Sequence, residues 1–104
     1  MSQLYVLHAG AEADLREIAR YTRKQWGQTQ ARIYRDKLIQ CIEGLASGSG
    51  IYKPFSTGRH ELRVARCQHH YVFVQQRQNA LALVVAVLHE RMDLIERLKA
   101  RLTV

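Results

Sequence analysis

A set of basic side chains lies on or beside one predicted strand and at the end of another. Its members are Arg59, Arg63, Arg66, His89 and Arg91. An imidazole titrates near neutrality and can move a proton, and guanidinium groups can hold negative charge that develops on phosphorus. If the two segments are neighbours, the set could converge at one rim of the sheet and cleave RNA through its 2′-hydroxyl. His89 is the only convincing acid–base group among them, so these residues by themselves favour a basic rim that binds a partner's carboxylates.

Other kinds of site find little support in the sequence. Gly48-Ser49-Gly50 lacks the lysine and the strand-to-helix context that a phosphate-binding loop requires. His69 and His70 are adjacent, so in a strand they point to opposite faces and cannot chelate one metal together. We therefore expect ordinary surface and edge histidines, no metal and no cofactor.

The two cysteines, Cys41 and Cys67, match no zinc-binding spacing and no C-x-x-C motif. Cys41 falls on the apolar side of a predicted helix, and Cys67 falls in a predicted turn. The sequence therefore favours two unpaired thiols in a reducing cytoplasm.

Length and charge limit the kind of protein. The chain has 104 residues, enough for one modest core, and we expect a single domain over residues 1–104. Sixteen Lys and Arg against nine Asp and Glu give a net charge of +7, which favours an anionic partner such as nucleic acid, an acidic protein segment or a membrane surface. No signal peptide is visible, and the longest apolar run is too short to span a bilayer, so we expect a cytoplasmic protein.

The most apolar stretch, Leu81–Leu88, is typical of a strand buried on both faces, although periodicity alone leaves a buried helix open. We interpret it as the central strand of a small sheet that delivers His89 and Arg91 at its end. Two earlier segments, Glu61–Ala65 and His70–Gln76, are separated from each other and from this run by short turns. Short turns predict an antiparallel meander.

The first half of the chain is predicted to supply a strand and two helices. Leu4–His8 is β-prone, and from Ala11 apolar residues recur at helical spacing as far as Gly27, a plausible C-cap. Thr29 is a possible N-cap of the second helix. Because only a few residues join the two helices, they should pack as an antiparallel hairpin.

The remaining segments complete the predicted fold. Ser47–Gly58 is rich in glycine and serine and holds the chain's proline, which predicts a loop. Asp93 is positioned to cap a final helix with a basic end, and Trp26 and Tyr34 are expected to pack the helices. The order β-α-α-β-β-β-α indicates an α+β domain, in which the helical hairpin packs on a mainly antiparallel four-stranded sheet and a short C-terminal helix follows.

Fragments spread over nearly the whole chain resemble, in their order and spacing, the RelE/ParE superfamily of bacterial toxins and specifically its ParE branch. Near the start they are Tyr5, Leu7, Ala11, Asp14-Leu15, Ile18, Tyr21-Thr22, Trp26-Gly27, Gln30-Ala31 and Tyr34. In the middle they are Gly58-Arg59 and Leu62-Arg63. The segment Val87-Leu88-His89-Glu90-Arg91-Met92-Asp93 resembles the family's strand-end His-x-Arg-Met-Asp.

The resemblance implies the toxin of a type II toxin–antitoxin system, of the kind that stabilises plasmids. Such a toxin binds DNA gyrase without catalysing a reaction, blocks replication and arrests growth. A cognate antitoxin would neutralise it in a hetero-oligomer, and operator DNA would be reached only through the antitoxin. Exposed apolar positions beside many cations suit an acidic amphipathic antitoxin segment that folds on binding.

Two alternatives stay open. The RelE branch cleaves messenger RNA on the ribosome, and in that case His89, Arg63 and Arg91 would be the catalytic candidates. Val74 and Gln75 stand where such relatives often carry an aromatic hydroxyl and a basic residue, and no tyrosine follows Arg91. The chain could also have lost its toxicity and mainly bind an antitoxin.

For a gyrase inhibitor we expect the target to be contacted by the sheet rim and the basic final helix. The rim residues are Arg59, Arg63, His89, Arg91 and Met92. One departure lies beside them, because the meander turn reads Arg66-Cys67-Gln68-His69-His70 where the family commonly has a glycine and a single histidine.

Overall fold

The computed structural model describes residues 5–57 and 60–102. The elements in chain order are β1 (Tyr5–Leu7), α1 (Ala9–Trp26), α2 (Gln28–Ser47), β2 (Lys53–Thr57), β3 (His60–Cys67), β4 (His70–Gln75), β5 (Ala82–His89) and α3 (Leu94–Leu102). This arrangement confirms the predicted α+β class, with a helical hairpin, a sheet and a C-terminal helix. No helix within the described ranges is long and apolar enough to cross a membrane.

The described strands form one five-stranded sheet in the order β1-β5-β4-β3-β2. β1 runs parallel to β5, whereas the other neighbours are antiparallel, so the sheet is mixed. The apolar run predicted to be a buried strand is β5, which lies between β1 and β4, with β4 in the middle place. Its residues are almost all buried, because both faces of the sheet are covered.

The fifth strand corrects the prediction of a loop over Ser47–Gly58, because β2 lies inside that range. Glycine, serine and proline argued for a loop, but β2 is the outermost strand, where a proline's missing N–H need not face a neighbour. Phe55 on β2 packs its ring against Phe73 of β4 with centroids 5.8 Å apart. This aromatic contact stabilises the short strand in the sheet.

Alternation along the strands fills two cores, one on each face of the sheet. Val72 and Val74 of β4 face the helical hairpin, where Leu38 and Ile42 of α2 are at most 1% exposed. On the opposite face Leu98 of α3 is also 1% exposed, packed in the second core. Burying each such aliphatic side chain contributes about 1.5–3 kcal/mol.

Local capping sets the ends of the helices. Gly27, at φ 89°, ends α1 as predicted, and its N–H donates to the Arg23 carbonyl. The prediction that Thr29 caps α2 is wrong, because α2 begins one residue before it and no described side chain caps its start. Asp93 caps α3 as predicted, since its carboxylate accepts a hydrogen bond from the Glu96 N–H at 3.2 Å.

One ion pair closes an edge of β5. β1 pairs only with Ala82–Val84, so in the described chain the same side of β5 has no neighbouring strand beyond that point. There the Val87 N–H donates to Asp14 Oδ2 at 3.0 Å, and Arg101 Nη1 donates to the Val85 carbonyl at 3.1 Å. Arg101 Nη1 also donates to Asp14 Oδ2 at 2.7 Å. The two side chains thus stand in for a strand and tie α1 and α3 to the sheet.

Gly10 is required by this ion pair. A Cβ at that position would lie 2.5–2.7 Å from the Nε, Cζ and Cδ atoms of Arg101, which cannot move without losing Asp14. We expect Gly10→Ala to lower the free energy of unfolding by about 1–2 kcal/mol through overpacking, although alanine ordinarily favours a helix. Urea denaturation measures the change.

The matched control is Gly44→Ala in α2. A Cβ there would meet Gly50 Cα at 3.5 Å, an ordinary contact, so this substitution should be neutral or stabilising by up to about 1 kcal/mol. Equal effects of the two substitutions would contradict the steric role of Gly10.

Candidate functional site: a groove at the end of the sheet

A groove of about 550 Å³ opens where β5 ends. One wall comes from α1 and the first half of α2, and the other comes from the β3–β4 turn and the segment after β5. We call it the rim groove and define it by its lining residues. They are Glu17, Ile18, Tyr21, Thr22, Trp26, Tyr34, His69, His70, His89, Glu90, Arg91 and Met92.

The apolar part of the rim groove is open to solvent. Tyr21 is 61% exposed, Trp26 is 50% exposed and Met92 is 43% exposed. The Trp26 ring lies with its centroid 6.4 Å from Tyr21 and 6.0 Å from Tyr34, so it packs the helices as predicted while half of it remains available. Large apolar side chains grouped in the open are a mark of a protein-binding surface.

The floor of the rim groove is a hydrogen-bonded tyrosine and histidine. Tyr34 Oη accepts the His69 backbone N–H at 3.1 Å and lies 2.6 Å from His70 Nδ1. The tyrosine proton is therefore free to be donated to Nδ1, which places the proton of a neutral His70 on Nε2. Burial, followed by the charges of His89 and His69, lowers the pKa of His70 to about 4. A neutral imidazole at pH 7 fits this hydrogen bond.

His70 and Tyr34 correct the sequence interpretation. His70 was expected to be a surface or edge histidine, yet it is only 8% exposed. Its ring meets His89 edge to face, with centroids 5.1 Å apart. Tyr34 is a packing residue as predicted, but its hydroxyl also orders the turn that carries the histidines. A hydroxyl on the apolar face of a helix was the signal that could have found it.

The outer lip of the rim groove is charged. Arg66 Nη2 donates to Glu90 Oε2 at 2.7 Å, and His69 Nδ1 lies 3.5 Å from Glu90 Oε1. Burial raises the pKa of Glu90, but Arg66 and His69 outweigh it and hold that pKa below its usual value. Glu90 is therefore ionised at neutral pH and is held by its basic neighbours.

His89, Arg91 and Met92, three of the predicted target-contact residues, lie together on the rim groove. The Arg91 N–H donates to His89 Nδ1 at 3.1 Å, so the turn after β5 fixes the orientation of the imidazole. Arg91 and Met92 are both exposed at this turn. A partner that enters the groove would meet a cation, a thioether and an imidazole side by side.

Arg63 does not join them, and its expected convergence with His89 and Arg91 is wrong. Its Nη1 donates to the Leu45 carbonyl at 2.9 Å, and its guanidinium lies 4.8 Å from the centre of the Tyr52 ring. Arg63 is four residues before the end of β3, about 13 Å along the strand from the turn. It stabilises the C-terminal end of α2, where a cation suits the helix dipole. Arg59 lies outside the described residues.

The cysteines also differ from the sequence prediction of two free thiols. Cys41 of α2 and Cys67 at the end of β3 form a disulfide, with their Cα atoms 6.3 Å apart. They are separated by 26 residues, and only the packing of α2 on the sheet brings them together.

In residues 5–57 and 60–102, no group of three His, Cys, Asp or Glu side chains could hold a metal ion.

Comparisons with known proteins identify relatives over most of the chain. A family model described as the ParE toxin of the type II toxin–antitoxin system parDE matches residues 5–94. The chain is 57% identical to Toxin ParE of Escherichia coli over 98 residues, which covers 94% of this chain and 95% of that protein. It is 33% identical to Toxin ParE1 of Mycobacterium tuberculosis over 93 residues, covering 89% of this chain and 95% of the relative.

A solved structure has the same fold. A chain of the chromosomal ParDE system from P. aeruginosa superimposes with a TM-score of 0.68 over 82% of this chain and 92% of that chain. The sequence identity of this pair is 12%, so the likeness concerns the fold alone.

Proposed function

Since the chain belongs to the ParE toxin family of type II toxin–antitoxin systems, we propose that it inhibits DNA gyrase, and so replication, by direct binding. In this proposal residues 1–104 act as a single toxin domain in the cytoplasm, where gyrase works. No bond is made or broken by the toxin. The surface that contacts gyrase is the rim groove, with His89, Arg91 and Met92 on its lip. The basic α3 begins two residues after Met92 but packs on the opposite face of the sheet, and none of its described residues lines the groove.

One observation carries the proposal: the rim groove joins exposed aromatic side chains to exposed basic ones. Tyr21, Trp26 and Met92 offer apolar area, and Arg91 offers a cation at the same opening. Interfaces are enriched in aromatic residues, methionine and arginine, and a few such residues provide most of the binding energy. Both kinds of contact suit the surface of a large protein partner.

The positions of the candidate catalytic side chains argue against the ribonuclease alternative. Arg63, one of its three catalytic candidates, is bound to the end of α2 and is absent from the described residues that line the rim groove. Of the three histidines that line the groove, His70 is buried with its pKa lowered to about 4, and His69 lies 3.5 Å from the Glu90 carboxylate. An acid–base pair would need two groups that titrate near the working pH, within reach of one substrate.

We propose that a cognate antitoxin neutralises the toxin by covering the same groove. The net charge of +7 favours an acidic partner, and the aromatic wall favours an amphipathic segment that folds as it binds. The two proteins would form a hetero-oligomer that reaches operator DNA through the antitoxin. Binding of the antitoxin and of gyrase would then exclude each other.

The test is a supercoiling assay with purified gyrase and the full chain. We expect inhibition by the parent protein and about tenfold weaker inhibition by Arg91→Glu, because the substitution reverses a charge at the lip of the groove. The matched control is Lys53→Glu on the outer strand β2, which changes the net charge equally and should stay within about twofold of the parent.

Three results would redirect the function. Normal gyrase activity at a dose that arrests growth would overturn gyrase as the target. Codon-phased cleavage of translated messages would favour the RelE-like endonuclease. Unaffected growth together with tight antitoxin binding would favour a chain that has lost its toxicity.

A further inference from the structure

A covalent bond joins the helical hairpin to the turn that carries the groove histidines. Cys41 lies in the second half of α2, and its partner Cys67 is the last residue of β3. Cys67 pairs with His70 across the turn Gln68-His69, so the disulfide is anchored at the base of that turn. Whatever changes this bond acts directly beside the floor of the rim groove.

α2 also contacts the Gln68-His69 turn through a second residue, Tyr34. Tyr34, seven residues before Cys41 and so on the same side of α2, hydrogen-bonds His69 and His70. Gln68 in the turn adopts a φ of 61°, a left-handed conformation that side-chain-bearing residues rarely keep without support from their surroundings. With the disulfide intact, the turn is held by a covalent bond and by hydrogen bonds; without it, the hydrogen bonds of Tyr34 remain.

The two cysteines differ in exposure. Cys67 is 5% exposed, whereas Cys41 is only partly buried, on the helix. A small reagent can therefore reach Cys41, and the thiol of Cys67 can then complete the exchange from inside. This asymmetry is what thiol–disulfide exchange with a small molecule requires, because one sulfur must be attacked and the other must resolve.

We propose that Cys41 and Cys67 form a reversible thiol–disulfide site whose co-substrates are low-molecular-weight disulfides and thiols, and that its oxidation state sets the rigidity of the rim groove. In oxidation, the Cys41 thiolate attacks a small disulfide RSSR, forms a mixed disulfide and expels RS⁻. Cys67 then loses its proton, attacks Cys41 Sγ and expels the second RS⁻. The cysteines lose two electrons and two protons in total, and RSSR becomes two RSH. Reduction by excess RSH runs the same steps backwards.

The consequence for binding follows from pre-organisation. A partner that needs the His69–His70 turn in place loses less freedom when the disulfide already holds the turn. The oxidised protein should therefore bind more tightly than the reduced one. This consequence rests on the proposed use of the rim groove, whereas the redox site itself does not.

The experiment uses the full chain equilibrated with oxidised glutathione or with excess reduced glutathione. Alkylation followed by mass spectrometry counts free thiols, and we expect none after oxidation and two after reduction. Hydrogen exchange then follows the turn, where we expect the His69 amide to exchange about tenfold more slowly in the oxidised form. Cys41→Ser should behave like the reduced form under both conditions.

Tyr34→Phe serves as the second variant, because it removes the hydrogen bonds of the Tyr34 hydroxyl to the turn. It should enlarge the difference in the exchange rate of the His69 amide between the oxidised and reduced forms. The proposal is overturned by equal exchange of the turn in both redox states. It is also overturned if oxidation stops at a mixed disulfide with glutathione on Cys41.

A binding arm separates this inference from the proposed function. Gyrase is titrated with both redox forms, and about tenfold weaker binding by the reduced form is expected. Equal, measurable affinity of the two forms would overturn the link between the redox site and the groove. If neither form binds gyrase, the proposed target is refuted, and the thiol count and hydrogen exchange still decide the redox site.

Discussion

Asp14→Ala should lower the free energy of unfolding by about 3 kcal/mol, a large loss for a chain of 104 residues. Asp14 accepts hydrogen bonds from the Val87 N–H and from both terminal nitrogens of Arg101. The side chains of Asp14 and Arg101 are only 16% and 20% exposed, so removing the carboxylate leaves a largely buried guanidinium without its counter-charge. The Val87 N–H loses its acceptor as well.

The matched control is Glu12→Ala, two residues earlier on the same helix. Glu12 pairs with Arg16 at 3.1 Å, but both side chains are more than half exposed, so its loss should cost less than about 1 kcal/mol. Chemical denaturation of the three proteins gives the comparison. The double variant Asp14→Ala with Arg101→Met should recover part of the loss, because no buried charge is then unpaired. Equal effects of the two single substitutions would refute the closing role of the ion pair.

A fall in pH from about 7 to 4 should remove about 3 kcal/mol of stability through His70 alone. Burial and the neighbouring histidines lower the pKa of His70 from 6.5 to about 4 in the folded protein. The unfolded chain therefore binds a proton on this residue at a higher pH than the folded protein does. The stabilisation is complete above about pH 6.5 and is lost as the pH falls towards 4, at about 1.4 kcal/mol per unit of pKa difference.

His70→Asn isolates this contribution, because the amide oxygen can still accept the Tyr34 hydrogen bond but does not titrate. Urea midpoints from pH 4 to 7.5 should rise more steeply in the parent than in the variant. Carboxylates contribute to acid unfolding in both proteins, so the difference between the two curves is the quantity of interest. Parallel curves would show that His70 does not titrate differently in the folded and unfolded states.

Sequence periodicity predicted the elements with strong local signals. The apolar run that became β5, the two helices and the cap at Asp93 all depend on nearby residues. β2 was missed because Pro54 and the surrounding glycines signal a loop, and only its place at the sheet edge accommodates the proline.

The site was harder to predict because its members meet only after packing. Strand alternation did not describe His69 and His70, because His69 lies in the turn before β4 and both line the groove, and the burial of His70 depends on Tyr34, which lies 36 residues away. Arg63 was grouped with the rim because it lies on a meander strand expected to neighbour the last strand, yet its position along that strand takes it to α2. The resemblance to ParE toxins singled out His89, Arg91 and Met92, which lie together on one short turn of the rim groove; their contact with a target stays a prediction.

The ion pair of Asp14 and Arg101 has a consequence for synthesis of the chain. The two residues are 87 positions apart, so the contact closes a loop that spans most of the sequence. At the usual pace of translation, roughly 5–20 residues per second, Asp14 is synthesised roughly 4 to 17 seconds before Arg101. Val85, whose carbonyl accepts a hydrogen bond from Arg101, is 16 positions before it, so for only the last roughly 1–3 seconds does the open side of β5 present an unpaired backbone group, the usual template for pairing with another chain. A nascent toxin is therefore exposed to strand addition, by itself or by a binding protein made alongside it, until α3 arrives.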